Sequence, residues 1–319
     1  MPHVTILDVG HGNSAVIGDG DRTVVVDCGR GRGVAKHLSS NDRMEIDALM
    51  VSHADADHID GALTLLIDDR FNVRHVYINP DPVRATEVWD DFKVAVREAR
   101  RRGTVVHSAL TSVDPGTVDL PAVRVEVLAP LPEAAISGPG SALGDLRLSA
   151  NTNSAVIRLV ASGRGWVLLP GDLDFVGLRL LIAEGVEVEA SNLVFPHHGG
   201  RPEQDDPVEF AEVLCQQVRP ERVVFSIGRR GRYRNPRPDI VAAVRRTVPD
   251  VHIGCTQLSS HCHPADEDLF TCAGSIVIDL ESGEWIQPTY SEHARFIDLN
   301  VSAPLCVSGD EEARDVTDL

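Results

Sequence analysis

Two histidines and two aspartates crowd into six positions of the stretch SHADADHIDG, residues 52–61. The stretch follows the apolar run IDALMV and precedes a pattern typical of a helix. Imidazole and carboxylate groups together suit zinc, manganese or iron. A solvated acidic turn is the alternative, but packing gives no reason to combine these groups, and burying them unpaired would be costly. The cluster therefore predicts a metal site, and its candidate ligands are His53, Asp55, Asp57 and His58.

Three further stretches carry a ligand-type side chain where an apolar run ends: Asp27 in VVVDCG, Asp172 in VLLPGDLD, and His197 with His198 in NLVFPHHGG. Loops at the carboxyl ends of strands usually gather functional groups in α/β architectures. Taken alone, Asp27 would be a turn or helix cap, and a single histidine would be structural. Together the stretches predict two cations, with Asp172 able to bridge and either histidine completing the second position. Two such cations can generate hydroxide from water at neutral pH.

Alternating and helical patterns surround these stretches and must position them. About thirteen short strands are predicted, from HVTILDV near the start to SIVIDL at 275–280, with five helical patterns between them. The fold class is therefore α/β (α+β), with sheets covered by helices. Residues 131–150, rich in Gly, Pro and Ser, predict a long surface loop. We expect one domain over 1–290 and an acidic, loosely ordered tail over 291–319.

Bulk composition limits the possible functions. A net charge of −18 over 319 residues argues against non-specific nucleic-acid binding by the whole surface. No apolar run is long enough for a membrane span, and the opening residues lack the zones of a secretory signal. These features predict a soluble, cytoplasmic protein that does not bind a membrane. Six cysteines in a chain of this length do not suggest a disulfide scaffold.

A local basic segment is the exception to the acidic composition. Seven arginines lie between positions 219 and 237, and GRRGRYRNPRP follows a predicted strand. Arginine suits phosphate oxygens and a tyrosine can stack on a base, so we expect Arg230, Arg232 and Tyr233 to bind substrate. The alternative is a solvated loop that pairs with acids elsewhere.

Three cysteines lie close together in CTQLSSHCHPADEDLFTC. Three thiolates and an imidazole could form a structural zinc site. The spacing matches no standard zinc module, and reduced core cysteines are the main alternative. The candidate ligands are Cys255, Cys262, His263 and Cys272, with His261 as an alternative histidine.

The motifs described above resemble those of a known family. SHADADHIDG is similar to the HxDxDH signature of the metallo-β-lactamase superfamily, and the order Asp27, HxDxDH, Gly171-Asp172, His197 follows its motif order. Within it, LDVGHGNSAVI, NTNSAVIRL, FPHHGG and SIGRRGRYRNPRP resemble the soluble hydrolase domain of the competence protein ComEC. The resemblance implies a four-layer αββα sandwich and a stand-alone, metal-dependent phosphodiester hydrolase. It also implies a nuclease acting on DNA, or an enzyme acting on RNA or a nucleotide, that uses two Zn or Mn ions.

Site roles follow from the resemblance residue by residue. His53 and Asp55 would hold one metal, and Asp57 and His58 the other. Asp172 would bridge them, His197 would bind the second metal, and Asp27 would brace the turn. The expected catalytic residues are Asp27, Asp57 and Asp172. The expected substrate-binding residues are Asn153, His198, Arg230, Arg232, Tyr233 and Asn235.

Three departures from the family pattern leave alternatives open. Asn151 or Asn153 stands where most relatives carry a histidine ligand, and Asn235 stands where ComEC-type relatives usually have histidine. LDVGHGNSA has His11 and Asn13 where relatives usually have Gln and Asp. A metallohydrolase of a small ester, lactone or small phosphodiester is therefore one alternative. A catalytically impaired, metal-stabilised interaction module, which would need a protein partner, is the other.

Overall fold

The computed structural model describes residues 1–203, 205–230, 233–266 and 268–307. Arg232 and residues 308–319 of the predicted tail lie outside these ranges. All thirteen predicted strands are present, together with short strands that the patterns did not reveal. In chain order the strands of the described residues are β1 (His3–Ile6), β2 (Ala15–Asp19), β3 (Arg22–Val26), β4 (Glu45–Val51), β5 (Asn72–Ile78), β6 (Val105–His107), β7 (Thr117–Asp119), β8 (Arg124–Ala129), β9 (Ala142–Leu143), β10 (Leu146–Arg147), β11 (Val156–Ala161), β12 (Arg164–Leu169), β13 (Asn192–Val194), β14 (Arg222–Phe225), β15 (His252–Cys255), β16 (His263–Pro264), β17 (Ile276–Asp279), β18 (Trp285–Gln287) and β19 (Val301–Ala303).

Several helices begin at residues whose side chains cap the first turn. Thr86 and Asp174 each accept a hydrogen bond from a backbone N–H of the helix that follows, which satisfies a donor that has no partner within the helix. The five predicted helical patterns are confirmed. In the described residues the helices are α1 (Gly33–Ser40), α2 (Ala56–Ile59), α3 (Ala62–Ile67), α4 (Glu87–Arg101), α5 (Pro132–Ser137), α6 (Phe175–Ala183), α7 (Pro207–Val218), α8 (Pro238–Thr247) and α9 (Tyr290–Asn300), with a 3₁₀ turn at Pro196–Gly199.

The main strands form two mixed sheets. The first has the order β18-β17-β1-β2-β3-β4-β5-β6, and its pairs are antiparallel up to β3 and parallel from there to β6. The second has the order β15-β14-β13-β12-β11-β8-β7, parallel from β15 to β12 and antiparallel beyond. Each sheet thus has a parallel half whose strand ends point in one direction.

The two sheets stack face to face, with helices on both outer sides. Val24 and Val26 face the layer between the sheets, whereas Val25 between them packs with α1, α3 and α4 on the outer face. The outer face of the second sheet packs against α6, α7 and α8. Both faces of the strands are therefore buried, which explains apolar runs such as VVV in place of strict alternation. The expected αββα architecture is confirmed.

The C-terminal segment differs from the expectation of a loose tail. Thr289 begins α9 with a capping box that it forms with Glu292, and Ile297 of this helix packs into the core on the second sheet. After it, β19 pairs with β16. Residues 291–303 therefore have regular structure, because an apolar face and a good cap outweigh the polar composition.

The predicted surface loop at 131–150 also contains local structure. It begins with α5 and continues with the hairpin of β9 and β10. None of the helices within the described ranges combines the length and the apolar character needed to cross a bilayer.

Gly61 allows the HxDxDH turn to pack against the loop that follows β3. Its N–H donates to the carbonyl of Cys28 at 3.0 Å. A Cβ atom at this position would clash with the carbonyl oxygen of Gly29 and would lie 3.2 Å from that of Cys28. Because these neighbours are backbone atoms, neither can move away without shifting the turn.

We therefore expect Gly61→Ala to destabilise the protein by about 1–3 kcal/mol through overpacking. Urea denaturation measures this change. The exposed Ile67→Ala, in the following helix, is the control and should change stability by less than about 0.5 kcal/mol. Equal stability of Gly61→Ala and the wild type would contradict the packing described here.

Candidate metal centre

Four strand ends converge at one edge of the sandwich. Asp27 follows β3, the 52–61 turn follows β4, Asp172 follows β12, and His197 with His198 follows β13. All four strands belong to the parallel halves of the two sheets. The predicted convergence of loops that are distant in the chain is therefore what the fold produces.

Asp27 holds the 52–61 turn through three hydrogen bonds. Its carboxylate accepts from the backbone N–H and from the hydroxyl of Ser52, both at 2.7 Å. It also accepts from Nδ1 of His58 at 2.7 Å. Asp27 itself has a left-handed backbone with φ of 57°, which is uncommon for a residue other than glycine. The expected bracing role agrees with these contacts.

The first group of potential ligands comprises His53, His58 and Asp172, whose ligand atoms all lie within 4.8 Å of one another. Nε2 of His58 is 3.4 Å from Oδ1 of Asp172. Nε2 of His53 is 3.9 Å from Oδ2 of the same carboxylate. All three side chains are buried.

The second group comprises His11, Asp57 and His198. Nε2 of His198 is 3.3 Å, and Nε2 of His11 3.4 Å, from Oδ2 of Asp57. Asp172 lies between the two groups, because its Oδ1 is also 3.8 Å from Nε2 of His198. This position fits the bridging role expected for Asp172. The grouping differs from the expected pairs, since His58 lies with His53 and not with Asp57.

Asp55 lies at the edge of the first group. One of its oxygens is 3.8 Å from Nε2 of His53, and the other forms an ion pair with Arg84. Burial raises the pKa of Asp55, although Arg84 opposes this effect. Asp55 can therefore contribute one oxygen to the first group, as expected, while its other oxygen is paired with Arg84.

The histidine pair adopts a strained backbone that separates its two side chains. Both residues are left-handed, with φ of 52° for His197 and 56° for His198, a conformation that costs of order 1 kcal/mol or more per residue. His198, expected to bind substrate, belongs to the second group of ligands. His197, expected to be the ligand, has its Nδ1 3.7 Å from Asp172 and lies outside both groups of described residues. The chain geometry thus favours His198 over His197 at the second position.

The imidazoles present one nitrogen to the centre and use the other for support. Nδ1 of His58 donates to Asp27, Nδ1 of His198 donates to the carbonyl of Ser226 at 2.8 Å, and Nδ1 of His53 lies 3.0 Å from the hydroxyl of Ser52. Among the described residues, no well-formed hydrogen bond reaches the buried Nε2 atoms of these three histidines. Buried polar atoms without partners are costly. Inward-facing Nε2 atoms beside carboxylates therefore fit divalent cations.

Charges in the cluster are strongly coupled. Burial alone would lower the pKa of His58, but Asp27 and Asp172 outweigh it and hold that pKa well above its usual value. The pKa of His198 is raised in the same way, with Asp172 and Asp57 outweighing burial. Burial would raise the pKa of Asp172, but His58 and His198 hold it well below the usual range. The Asp172 carboxylate therefore stays ionised and available for a cation.

An open pocket of about 760 Å³ lies over the two groups. Its floor contains His11, Asp57, Asp172 and His198. Three arginines line the same pocket: Arg30, Arg201 and Arg230. The pocket therefore combines an acidic and imidazole-rich floor with cationic side chains.

The family model described as the metallo-beta-lactamase superfamily matches residues 7–214. The chain belongs to the metallo-β-lactamase superfamily. It is 27% identical over 210 residues to ComE operon protein 3 of Bacillus subtilis (strain 168). This match covers 66% of the chain and only 23% of that longer protein.

Solved structures with similar folds are more distant. The metallo-beta-lactamase fold protein YhfI of Bacillus subtilis is 10% identical, with a TM-score of 0.49, and the match covers 80% of this chain and 96% of that one. Igni18, a metallo hydrolase of Ignicoccus hospitalis KIN4/I, is 16% identical with a TM-score of 0.45, over 79% of this chain and 94% of that one.

Membership of the superfamily implies that the centre binds divalent metal ions and that the chain is a metal-dependent hydrolase. It also confirms the resemblance predicted from the HxDxDH motif.

The basic segment is less continuous than the sequence suggested. Arg219, Arg222 and Arg237 pair with neighbouring acids, and Arg229 donates to the backbone carbonyl of Ser259 at 2.6 Å. Among the arginines of this segment that the structure describes, Arg230 lines the pocket. Tyr233 also lines the pocket and stacks on His11, with ring centroids 4.8 Å apart.

The two asparagines expected to bind substrate have different positions. Asn235 lines the pocket, and its amide donates to the carbonyl of His197 at 3.3 Å, so it supports the strained histidine pair. Asn153 is 3% exposed and does not line the pocket. A direct contact of Asn153 with substrate would therefore require a change in the pocket.

The cysteine segment is arranged differently from the expected zinc site. Cys255, Cys262 and Cys272 line a cavity of about 10 Å³ together with Cys306, whereas His263 is exposed on β16. Burial raises the pKa of Cys272 to about 12 and that of Cys306 to about 11. Zinc binds thiolates, and within the described ranges none of these thiols belongs to a set of three or more ligand atoms that lie within 4.8 Å of one another. This arrangement fits reduced core cysteines.

Three residues that the structure places at the site were missing from the predicted set. His11 lies in the second group, and its signal was the histidine in LDVGHGNSA where relatives usually have another residue. Ser52 and Ser154 position the ligands, since Ser154 accepts from the backbone N–H of Asp172 at 3.0 Å. Serines flanking a ligand motif carry no distinctive pattern, so sequence alone could not identify them.

We expect Asp27→Asn to weaken metal binding by about 10- to 100-fold, because an amide in this position supports the His58 imidazole less well than a carboxylate. Calorimetric titration with Mn²⁺ or Zn²⁺ measures the affinity. Asp47→Asn is the matched control, since Asp47 is a buried carboxylate that pairs with Arg22 away from the centre. Equal loss of metal affinity in both variants would contradict the bracing role.

Metal binding should strengthen as pH rises. Because the pKa values of His58 and His198 are raised, protonation of these imidazoles stabilises the folded, metal-free protein. This contribution to the free energy of unfolding is fully present below the ordinary histidine pKa of about 6.5 and is lost as pH rises through the raised values. Cations must displace these protons. Between about pH 6 and 9, we expect the Tm of metal-free protein to fall and the increase in Tm caused by metal to grow. A metal-induced increase that is constant over this range would contradict the coupling.

Proposed function

We propose that this chain is a metal-dependent phosphodiester hydrolase whose substrate is a nucleic acid or a nucleotide. The observation that supports it most is the set of arginines around the pocket. Arg30, Arg201 and Arg230 pair with no carboxylate among the described residues, although the chain carries a net charge of −18. Cations left unpaired in so acidic a protein suit an anionic ligand.

Arg230 is held in place at the pocket. Its guanidinium lies over the ring of Phe270, 4.0 Å from the ring centroid. This contact limits the freedom of the side chain, so less entropy is lost when it binds a phosphate oxygen. Arg230 can therefore orient a phosphodiester over Asp57 and Asp172.

Tyr233 adds a surface that suits a nucleobase. Its side chain is half exposed, lines the pocket and stacks on the ring of His11. Stacking on an aromatic side chain contributes about 1–3 kcal/mol per base and tolerates any sequence. A phosphate bound by the arginines would place an adjacent base near this ring.

The carboxylates and imidazoles of the floor would hold the cations. Bound divalent ions polarise water and neutralise the charge that develops on a phosphoryl group. His53, His58 and Asp172 form one position, and Asp57 with His198 contributes to the other. Asp27, Ser52 and Ser226 fix the orientation of the imidazoles, so the site needs little rearrangement on binding.

The acidic surface limits the kind of nucleic acid. Away from the pocket, the net charge opposes long-range attraction of a polyanion. A pocket of about 760 Å³ accommodates a few nucleotides or one small ligand. We therefore propose that contacts are confined to a short stretch around the scissile phosphate.

The test is hydrolysis by protein loaded with Zn²⁺ or Mn²⁺, using single- and double-stranded DNA, RNA, cyclic nucleotides and a neutral aryl ester. Asp172→Ala should abolish turnover because this carboxylate belongs to the first ligand group and also lies 3.8 Å from Nε2 of His198 in the second. Arg201→Ala and Arg230→Ala should each lower kcat/KM for a phosphodiester by roughly 10- to 100-fold, as expected for a lost charge-assisted hydrogen bond.

Arg219→Ala is the matched control, because this exposed arginine pairs with Glu189 outside the pocket. It should leave kcat/KM unchanged. The absence of turnover on every phosphodiester would refute the proposal. Hydrolysis of the neutral ester that is equally fast in the wild type and in both pocket variants would favour the small-ester alternative.

A further inference from the structure

We propose that His11 is a direct protein ligand of the second metal position, together with Asp57 and His198. The inference deepens the proposed site but rests only on the binding of divalent cations, which membership of the superfamily implies, and not on the substrate. His11 lies in the loop between β1 and β2. Its imidazole therefore comes from outside the HxDxDH turn and outside the loops after β12 and β13.

The contact geometry places His11 at the metal position. Its Nε2 and that of His198 approach the same carboxylate oxygen, Oδ2 of Asp57, at 3.4 and 3.3 Å. The rings of His11 and His198 are 4.3 Å apart and tilted by 50°. Two imidazole nitrogens and a carboxylate oxygen within 4.8 Å of one another form a set that zinc or manganese accepts.

The backbone around His11 is fixed to both halves of the site. The N–H of Asn13 donates to the carbonyl of Asp57 at 3.2 Å, so the loop is attached to the residue that shares the metal position. On the other side, the hydroxyl of Ser226 donates to the carbonyl of Gly12 at 2.7 Å. The same Ser226 accepts from His198 through its own carbonyl. His11 and His198 are thus positioned by common neighbours.

Close packing leaves the loop little freedom to move away. Gly228 lies so near the loop that a Cβ atom there would be 2.7 Å from the backbone nitrogen of His11. The ring of Tyr233 stacks on His11 at an interplanar angle of 22°. A ligand needs such support, because a mobile imidazole loses more entropy on coordination.

The inference also accounts for a deficit in the ligand set. The region before Gly171 reads NTNSAV and contains no histidine. Asn153 is buried there, and its amide forms no hydrogen bond with other described residues. His11 supplies an imidazole from a third segment of the chain, the loop between β1 and β2. This imidazole lies at the second metal position.

A proton donor is the competing role for His11, since it lines the pocket. Its Nε2, however, faces the Asp57 carboxylate that belongs to the ligand set. A proton donor would leave metal affinity unchanged when replaced and would change only the pH profile of hydrolysis. The two roles therefore predict different results in a metal titration.

The experiment is titration of metal-free full-length protein with Mn²⁺, followed by calorimetry and by the EPR signal of free Mn²⁺. The variants are His11→Phe, which retains the ring stack with Tyr233, and His11→Ala. We expect the wild type to bind two ions. Both variants should bind one ion with unchanged affinity and the other at least about 10-fold more weakly.

Two controls define the result. His37→Gln replaces a half-buried histidine of α1 and should leave both affinities unchanged. His53→Gln should weaken the first position and spare the second. If the His11 variants lose structure by circular dichroism, ¹⁵N-histidine NMR of the wild type titrated with Zn²⁺ replaces them, and Nε2 of His11 should show a coordination shift.

Unchanged affinity of both positions in folded His11→Phe, or an unshifted Nε2 of His11 on Zn²⁺ saturation, would overturn the inference. Neither measurement uses a substrate. Failure of the ligand role and failure of the phosphodiesterase proposal are therefore distinguishable.

Discussion

The buried contact between Asp27 and the turn that carries His58 is the constraint on which the centre depends. One carboxylate accepts from the backbone and hydroxyl of Ser52 and from Nδ1 of His58. These bonds fix the turn at the end of β4 and direct Nε2 of His58 toward Asp172. Because the group is buried, its charge depends on these neighbours for stabilisation. The strained backbones of Asp27, His197 and His198 are tolerated because cooperative packing around the strand ends determines them.

Charge in this protein is distributed in two opposing ways. The carboxylates of the floor attract cations, and the net charge of −18 makes the surface as a whole unfavourable for polyanions. Arg30, Arg201 and Arg230 add positive charge to the lining of the pocket. Recognition of an anionic substrate would therefore depend on short-range contacts at the site, with little contribution from long-range steering. Metal and proton binding are coupled through the same imidazoles, so pH adjusts occupancy of the centre.

Much of the fold could be predicted because the apolar residues recur clearly at the periods of strands and of helices. All thirteen predicted strands and five helical patterns have structural counterparts, and residues Asp27, His53 to His58, Asp172 and the histidine pair do meet at one edge. The errors have specific physical causes. The segment 291–303 looked like a tail, yet the capping box at Thr289 and the apolar face of α9 order it. His263 looked like a zinc ligand, yet strand pairing exposes it, and Cys306, distant in the chain, joins the cysteines.

The sequence alone determined the kinds of ligand and the loops that carry them, because a run of acids and imidazoles after an apolar strand has few physical uses. It did not decide which ligands share a cation. That depended on the direction of side chains: the left-handed backbone at 197–198 and the carbonyl of Ser226 turn His198, and not His197, toward Asp57. Likewise, His11 and the three pocket arginines come from separate loops whose proximity is set by the stacking of two sheets. Such long-range geometry leaves no local pattern in the chain, so only the tertiary structure reveals it.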